Sequence, residues 1–166
     1  MSFWRTYYHL VWATKNREHF ITADVERQLF AYLVRKASEL GIYVYAIGGW
    51  YDHVHVVGSI PPRLAVAQAV KHLKGSSSHY INQTISPFAW QRGYGVLTLG
   101  ESQRPKAVAY VQNQKKHHEQ KTANAWLERY TEFDEGPPDF GILIDDMPTL
   151  LRETEASYDI LGEPPF

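Results

Sequence analysis

Trp50-Tyr51-Asp52-His53-Val54-His55-Val56-Val57-Gly58-Ser59 is the stretch whose reading decides the fold. β-Branched residues alternate with other types, and Gly58-Ser59-Ile60-Pro61-Pro62 closes the run, so it reads as a β-strand. Side chains on a strand alternate between faces. His53 and His55 therefore share one face, and Val54 and Val56 share the other. Two imidazoles so placed can hold one metal ion from one side of a sheet. Taken alone, the pattern equally describes two polar residues on a half-solvated sheet, and further ligands must come from elsewhere in the chain.

Working outward, Ile42 to Gly49 reads as a second strand just upstream, and the short link makes the pair an antiparallel hairpin. Before it, Val25, Leu29, Leu33, Ala37 and Leu40 recur at helical spacing, with Thr22 and Asp24 as caps and Gly41 as the stop. Arg5 to Thr14 reads as the first strand. After the histidines, Pro61-Pro62 opens a helix whose apolar stripe is Val66, Ala69, Val70 and Leu73, and Gly75-Ser76-Ser77-Ser78 loosens it. Trp90 to Leu99 is a glycine-flanked strand, and Ser102 caps a helix running to about His118 with Pro105 in its first turn. The order is β-α-β-β-α-β and then a helix. This is α+β, the ferredoxin-like split β-α-β arrangement: a four-stranded antiparallel sheet with two helices on one face.

The 166 residues suit one domain, with 1–119 as the body and 120–166 as an acidic appendage rather than an independent domain. In the appendage, Trp126, Leu127 and Tyr130 suggest a short amphipathic helix, and Asp146-Met147-Pro148 could start another. The absence of cysteine excludes disulfides and thiolate metal sites. No run has the length of a membrane span, and Met1 to Arg5 lacks a signal-peptide core, so a cytoplasmic setting and no membrane partner are expected. A net charge of −1 conceals a body at +7 and an appendage at −8. A basic body suits a polyanion. The acidic segment could cover that body, or merely shield a hydrophobic edge.

On the last helix of the body, Tyr110 and Gln114 are four apart and share a face, with His117 a turn on and Ala107 and Val111 on the stripe toward the sheet. Five segments then stand in order: Tyr8-His-Leu-Val-Trp-Ala-Thr-Lys15, Asp52-His-Val-His55, Leu73-Lys-Gly-Ser-Ser77, Trp90-Gln-Arg-Gly-Tyr94, and Tyr110-Val-Gln-Asn-Gln114 with His117-His118. Together they resemble the single-tyrosine HUH transposases of the smallest bacterial insertion sequences and the related REP-associated tyrosine transposases. The resemblance covers residues 5–119. It departs at Tyr51, where the family usually has proline, and at Ser78-His79, where an arginine often ends the serine run.

The resemblance implies that His53, His55 and Gln114 bind a divalent ion, Mg²⁺ or Mn²⁺, and that Tyr110 is the nucleophile. It implies a bacterial, nucleoid-associated enzyme that cuts and rejoins single-stranded DNA near hairpin or palindromic ends through a 5′-phosphotyrosine. Family members include homodimers with shared active sites, and whether Tyr110 serves the histidines of its own chain or of a partner stays open. Single-strand binding requires a basic groove with aromatic platforms. The candidates are Lys15, Arg17, Lys71, Lys74, Arg92, Lys115 and Lys116, with Trp90 and Tyr94 for stacking. Two other readings stay open on the same sheet: a non-catalytic nucleic-acid binder, and a metal-dependent nuclease in which Tyr110 is structural.

Overall fold

The alternation around His53 is realised as a strand buried along its whole length, from His53 to Ser59. The structure is a computed structural model, and it describes residues 3–85 and 87–132. Its elements are β1 (Tyr8–Ala13), α1 (Ala23–Glu39), β2 (Tyr43–Trp50), β3 (His53–Ser59), α2 (Val66–Thr84), β4 (Gly95–Thr98), α3 (Arg104–Gln112) and α4 (Gln114–Glu119). The sheet order is β2-β3-β1-β4, with every pair antiparallel. This is the α+β ferredoxin-like arrangement expected from the sequence.

Each face of the sheet has its own partner. Leu10 and Trp12 of β1 join Val54 and Val56 of β3 in the main core, against Val25, Leu29 and Leu33 of α1 and Val70, Leu73 and Ile81 of α2. Full burial of each such side chain contributes roughly 1.5–3 kcal/mol. On the opposite face, Val57 and Ala46 pack with Val111 of α3. His53 and His55 lie on this second face, between the sheet and α3.

Several boundaries differ from the sequence reading. Pro61 and Pro62 form a turn, and α2 begins only at Val66. The helix then runs unbroken through Gly75-Ser76-Ser77-Ser78 to Thr84. The serines do not loosen it because their hydroxyls have partners: Ser76 donates to His72 O, Ser77 to Lys74 O and Ser78 to Phe88 O. Past them, Ile81 is fully buried and Tyr80 stacks on Tyr32 of α1, so tertiary packing carries the helix onward. Thr22 and Ser102 make no capping bond; Gln103 holds the cap position of α3. The helix expected to reach His118 breaks at Asn113, whose side-chain amide donates back to Ala109 O. β4 is shorter than read, and Trp90 and Tyr94 make only isolated bridges, to Thr14 and Thr131. Trp126 and Leu127 lie in turns rather than a helix. The element expected at Asp146 lies outside the described residues.

The approach of α3 to the sheet is set by Gly48 on β2. A Cβ at that position would fall on the carbonyl oxygen of Val111, and also against its side chain. Only a glycine lets the helix carrying Tyr110 sit this low. Gly75, by contrast, has nothing near the place its Cβ would take. Gly48→Ala is therefore expected to destabilise the protein by about 1–3 kcal/mol and to displace α3. Gly75→Ala is expected to stabilise it by about 0.5–1 kcal/mol, because it removes mid-helix glycine entropy without a clash. Denaturant unfolding of the two variants checks both signs.

Candidate active site

Both β3 imidazoles are held from behind. His53 and His55 are at most 1% exposed. Nδ1 of His53 lies 2.6 Å from Asp52 Oδ1. An ionised carboxylate only accepts, so Nδ1 carries the proton and Nε2 faces forward. Arg17 anchors the carboxylate from the other side, at 3.1 Å from Asp52 Oδ2. His55 Nδ1 is 2.8 Å from Nε2 of His9, a buried residue of β1 whose ring stacks parallel to it. These are the supports that metal-binding histidines ordinarily have.

From above, α3 and α4 bring four more groups. Gln114 is 1% exposed and opens α4. Tyr110 presents its ring edge to His55 at a centroid distance of 6.1 Å. His117 stacks on Tyr110 at 4.7 Å. His118, four residues beyond Gln114, lies against His53 at 4.8 Å and stacks on Trp50.

The centre of the cluster is a residue that sequence reasoning missed. Glu128 places Oε2 2.9 Å from His53 Nε2, 3.1 Å from His55 Nε2 and 3.7 Å from His118 Nε2. Its Oε1 accepts from the Tyr110 hydroxyl at 2.6 Å and from the Gln114 amide at 3.3 Å. One carboxylate thus touches every group expected to act at the site. The segment bearing it is seated by two glycines. A Cβ on Gly93, at φ +76°, would strike Thr131 O, and one on Gly95 would strike Arg129 O. The backbone beside Glu128 therefore lies directly on the start of β4, and the Tyr110 oxygen accepts from Asn124 N–H at 3.0 Å. The described residues up to Glu132 belong to the same compact unit as the sheet.

The electrostatics follow from this crowding. Burial works against the Glu128 charge, but the imidazoles of His53 and His55 and the Tyr110 hydroxyl hold its carboxyl far below the usual range. Burial and the hydrogen bond to Glu128 push Tyr110 up to about 12, so the phenol is neutral. His53 is also buried, yet the carboxylates of Asp52 and Glu128 raise its pKa. Burial lowers His55, and it takes His9 down to about 3.

The cluster suits a divalent ion. Among the described residues, His53 Nε2, His118 Nε2 and Gln114 Oε1 are buried with no hydrogen-bond partner. The Glu128 oxygen near His53 is close but off the line of a hydrogen bond. Ligand atoms of His53, His118 and Glu128 lie within 4.8 Å of one another. Imidazole nitrogen with amide and carboxylate oxygen is a donor set for ions of the Mn²⁺ or Mg²⁺ type. His118 was legible in principle, since it shares the helical spacing of Gln114. Glu128 carried no comparable signal, standing as one acidic residue in an acidic stretch.

Five of the nine residues expected to bind DNA line one cavity of 360 Å³: Lys71, Lys74, Trp90, Arg92 and Tyr94. They are not equally available. Lys74 donates to Gln91 O and Gly93 O at 2.7 and 2.6 Å, and burial lowers its pKa to about 8. Trp90 packs edge-on against Trp12 and donates to Ser77. Lys71 and Arg92 are exposed. Lys15 and Arg17 occupy a 3-10 turn tied to this wall through Lys15 N–H to Ala89 O. Lys115 and Lys116 lie apart on α4, and Lys115 pairs with Glu26 at 2.8 Å.

Comparison with known proteins agrees with this architecture. The chain is 29% identical over 115 residues to the ISDra2 transposase TnpA of Deinococcus radiodurans, covering 64% of this chain and 82% of that one. It is 27% identical over 122 residues to the transposase for insertion sequence element IS200 of Salmonella typhimurium, covering 69% and 77%. A crystal structure of a putative transposase from Deinococcus radiodurans superposes with a TM-score of 0.57 at 28% identity, over 69% of this chain and 95% of that one. A REP-associated tyrosine transposase bound to a REP hairpin shares the fold, with a TM-score of 0.55 at 13% identity over 76% of each chain. The family described as "Transposase IS200 like" matches residues 2–114, and with two thirds of its length so matched this chain belongs to the IS200-like DNA transposases.

Proposed function

We propose that the protein cleaves and rejoins single-stranded DNA near hairpin ends through a covalent 5′-phosphotyrosine on Tyr110, with a divalent ion held by His53, His55 and Gln114. The observation that carries this reading is the carboxylate of Glu128, which spans from the Tyr110 hydroxyl to both imidazoles in a single chain. Phenol and ion ligands separated by one carboxylate can act on the same phosphate. When bound, the ion would polarise the scissile phosphate and offset charge on its non-bridging oxygens.

The chain's own residues supply the rest. Tyr110 Oη attacks phosphorus, the bond from phosphorus to the 3′ oxygen breaks, and a 3′ hydroxyl leaves. The new ester keeps the phosphodiester's energy, so a 3′ hydroxyl can reverse the step on another end. His9 and Asp52 fix the ring orientation of His55 and His53. Because Tyr110 meets the histidines of its own chain, we assign the reaction to one chain, whether or not a homodimer forms. Body residues 1–119 carry the chemistry and borrow Glu128 from the start of the appendage, 120–166. The cavity between α2 and residues 90–94 would receive the strand, with Lys71 and Arg92 toward phosphates and Tyr94 toward a base. The fold shared with a hairpin-bound protein supports hairpin DNA as the probe.

With a 3′-labelled hairpin oligonucleotide and Mg²⁺ or Mn²⁺, the full chain should form a labelled protein–DNA adduct. Tyr110→Phe should abolish the adduct while leaving strand binding within a few-fold, and chelation of the ion should remove it as well. Cleavage that turns over without a protein-linked product would overturn the assignment of Tyr110. Affinity for the oligonucleotide should fall steeply with salt, by about tenfold or more between 50 and 200 mM, if several phosphates are neutralised. Filter binding across that range measures it.

A further inference from the structure

We infer that Glu128 is itself a ligand of the divalent ion, so that the site is completed by a carboxylate from the segment after α4. This rests on the metal reading above. The alternative is that the carboxylate merely fills the cation's seat and must be expelled before an ion can enter.

The geometry favours the ligand. Adjacent donors on an octahedral ion with bonds of about 2.1 Å lie about 3.0 Å apart. Glu128 Oε2 is 2.9 Å from His53 Nε2 and 3.1 Å from His55 Nε2, which are separations of neighbouring ligands. Were the contact to His53 a true stand-in for the ion, the nitrogen would point along it. Instead His53 Nε2 has no hydrogen-bond partner, although the oxygen is close. Gln114 shows the same thing: its amide nitrogen donates to Glu128, while its oxygen is buried without a partner. His53 Nε2 thus stands beside the Glu128 oxygen without bonding it, whereas His55 Nε2 is hydrogen-bonded to that oxygen at 3.1 Å. His118 Nε2, at 3.7 Å from Glu128, stands farther off, and we assign it no ligand role.

The placement of Glu128 also suits a fixed ligand. The backbone on its C-terminal side is seated on Gly93 and Gly95, and the Asn124 amide is tied to Tyr110. A carboxylate that had to swing clear would hang from a looser segment. A charged oxygen added to two neutral imidazoles and a neutral amide also raises affinity for a divalent ion, since ligand charge sets the strength of such sites.

The test is Mn²⁺ binding to the full chain without DNA, read by electron paramagnetic resonance of the free ion. Glu128→Gln keeps the shape and removes the charge. It should weaken Mn²⁺ binding about tenfold or more. Glu128→Asp keeps the charge one methylene short and should fall between, which carries the test should Glu128→Gln prove unfolded in a thermal melt. Affinity unchanged or tighter in a folded Glu128→Gln would overturn the inference, and a tighter value would identify the carboxylate as a competitor of the ion. If the wild-type chain and His53→Ala both fail to take up Mn²⁺, the metal reading itself falls. If the wild-type binds, His53→Ala does not, and Glu128→Gln matches the wild-type, only the role of Glu128 falls.

Discussion

Two buried imidazoles and a neutral phenol share one carboxylate, and the rest of the molecule is arranged to permit that contact. A lone buried carboxylate is costly, because burial removes it from water without return. Glu128 is kept charged by His53, His55 and Tyr110 together. Each of those partners needs support of its own. Asp52 and Arg17 stand behind His53, and His9 stands behind His55. The polar network therefore runs from the exposed Arg17 through the sheet to the start of the acidic segment.

Close backbone approach makes the network possible. α3 lies low on β2 because Gly48 has no side chain, and that brings Tyr110 over His55. The segment beside Glu128 lies low on β4 because Gly93 and Gly95 have none. Three glycines thus set the height of two elements above the same face of the sheet. The opposite face uses bulk instead, with Trp12, Leu10, Leu29 and Leu33 fully packed against two helices. The sheet separates a face built for cohesion from one built for close polar contact.

Period two in β3 and the i, i+4 spacing of Tyr110 and Gln114 made the two halves of the site legible, because both are local consequences of backbone geometry. The strand order followed from the sequence of elements. The run Gly75 to Ser78 misled, since its helical state depends on Ile81 and Tyr80 packing on α1 and on hydroxyls bonded within the helix and to Phe88. The break at Asn113 depends on a side-chain amide turning back to Ala109, which composition does not reveal. Glu128 was illegible for a stronger reason. Its position is fixed by tertiary contacts to Gly93 and Gly95, more than thirty residues away in the chain, and nothing in its neighbours' spacing marks it. His9 was visible only as part of a quoted segment; its role depends on the β1–β3 register that sets Val11 opposite His55.

The same crowding keeps the phenol of Tyr110, the proposed nucleophile, protonated. A phenol bonded to a carboxylate at 2.6 Å gains nothing by ionising, since it would set two negative charges side by side. The carboxylate, held far below its normal range, is a poor acceptor for the phenol's proton. Proton transfer between them is therefore uphill by a wide margin, and Glu128 is unsuited to act as the base that activates Tyr110. On the proposed reading, any activation must come from positive charge brought near the phenolate, such as an ion held among His53, His55 and Gln114. The same ion would also hold the phosphate that Tyr110 is proposed to attack. On that reading, the readiness of Tyr110 depends on the same group that would bind its target.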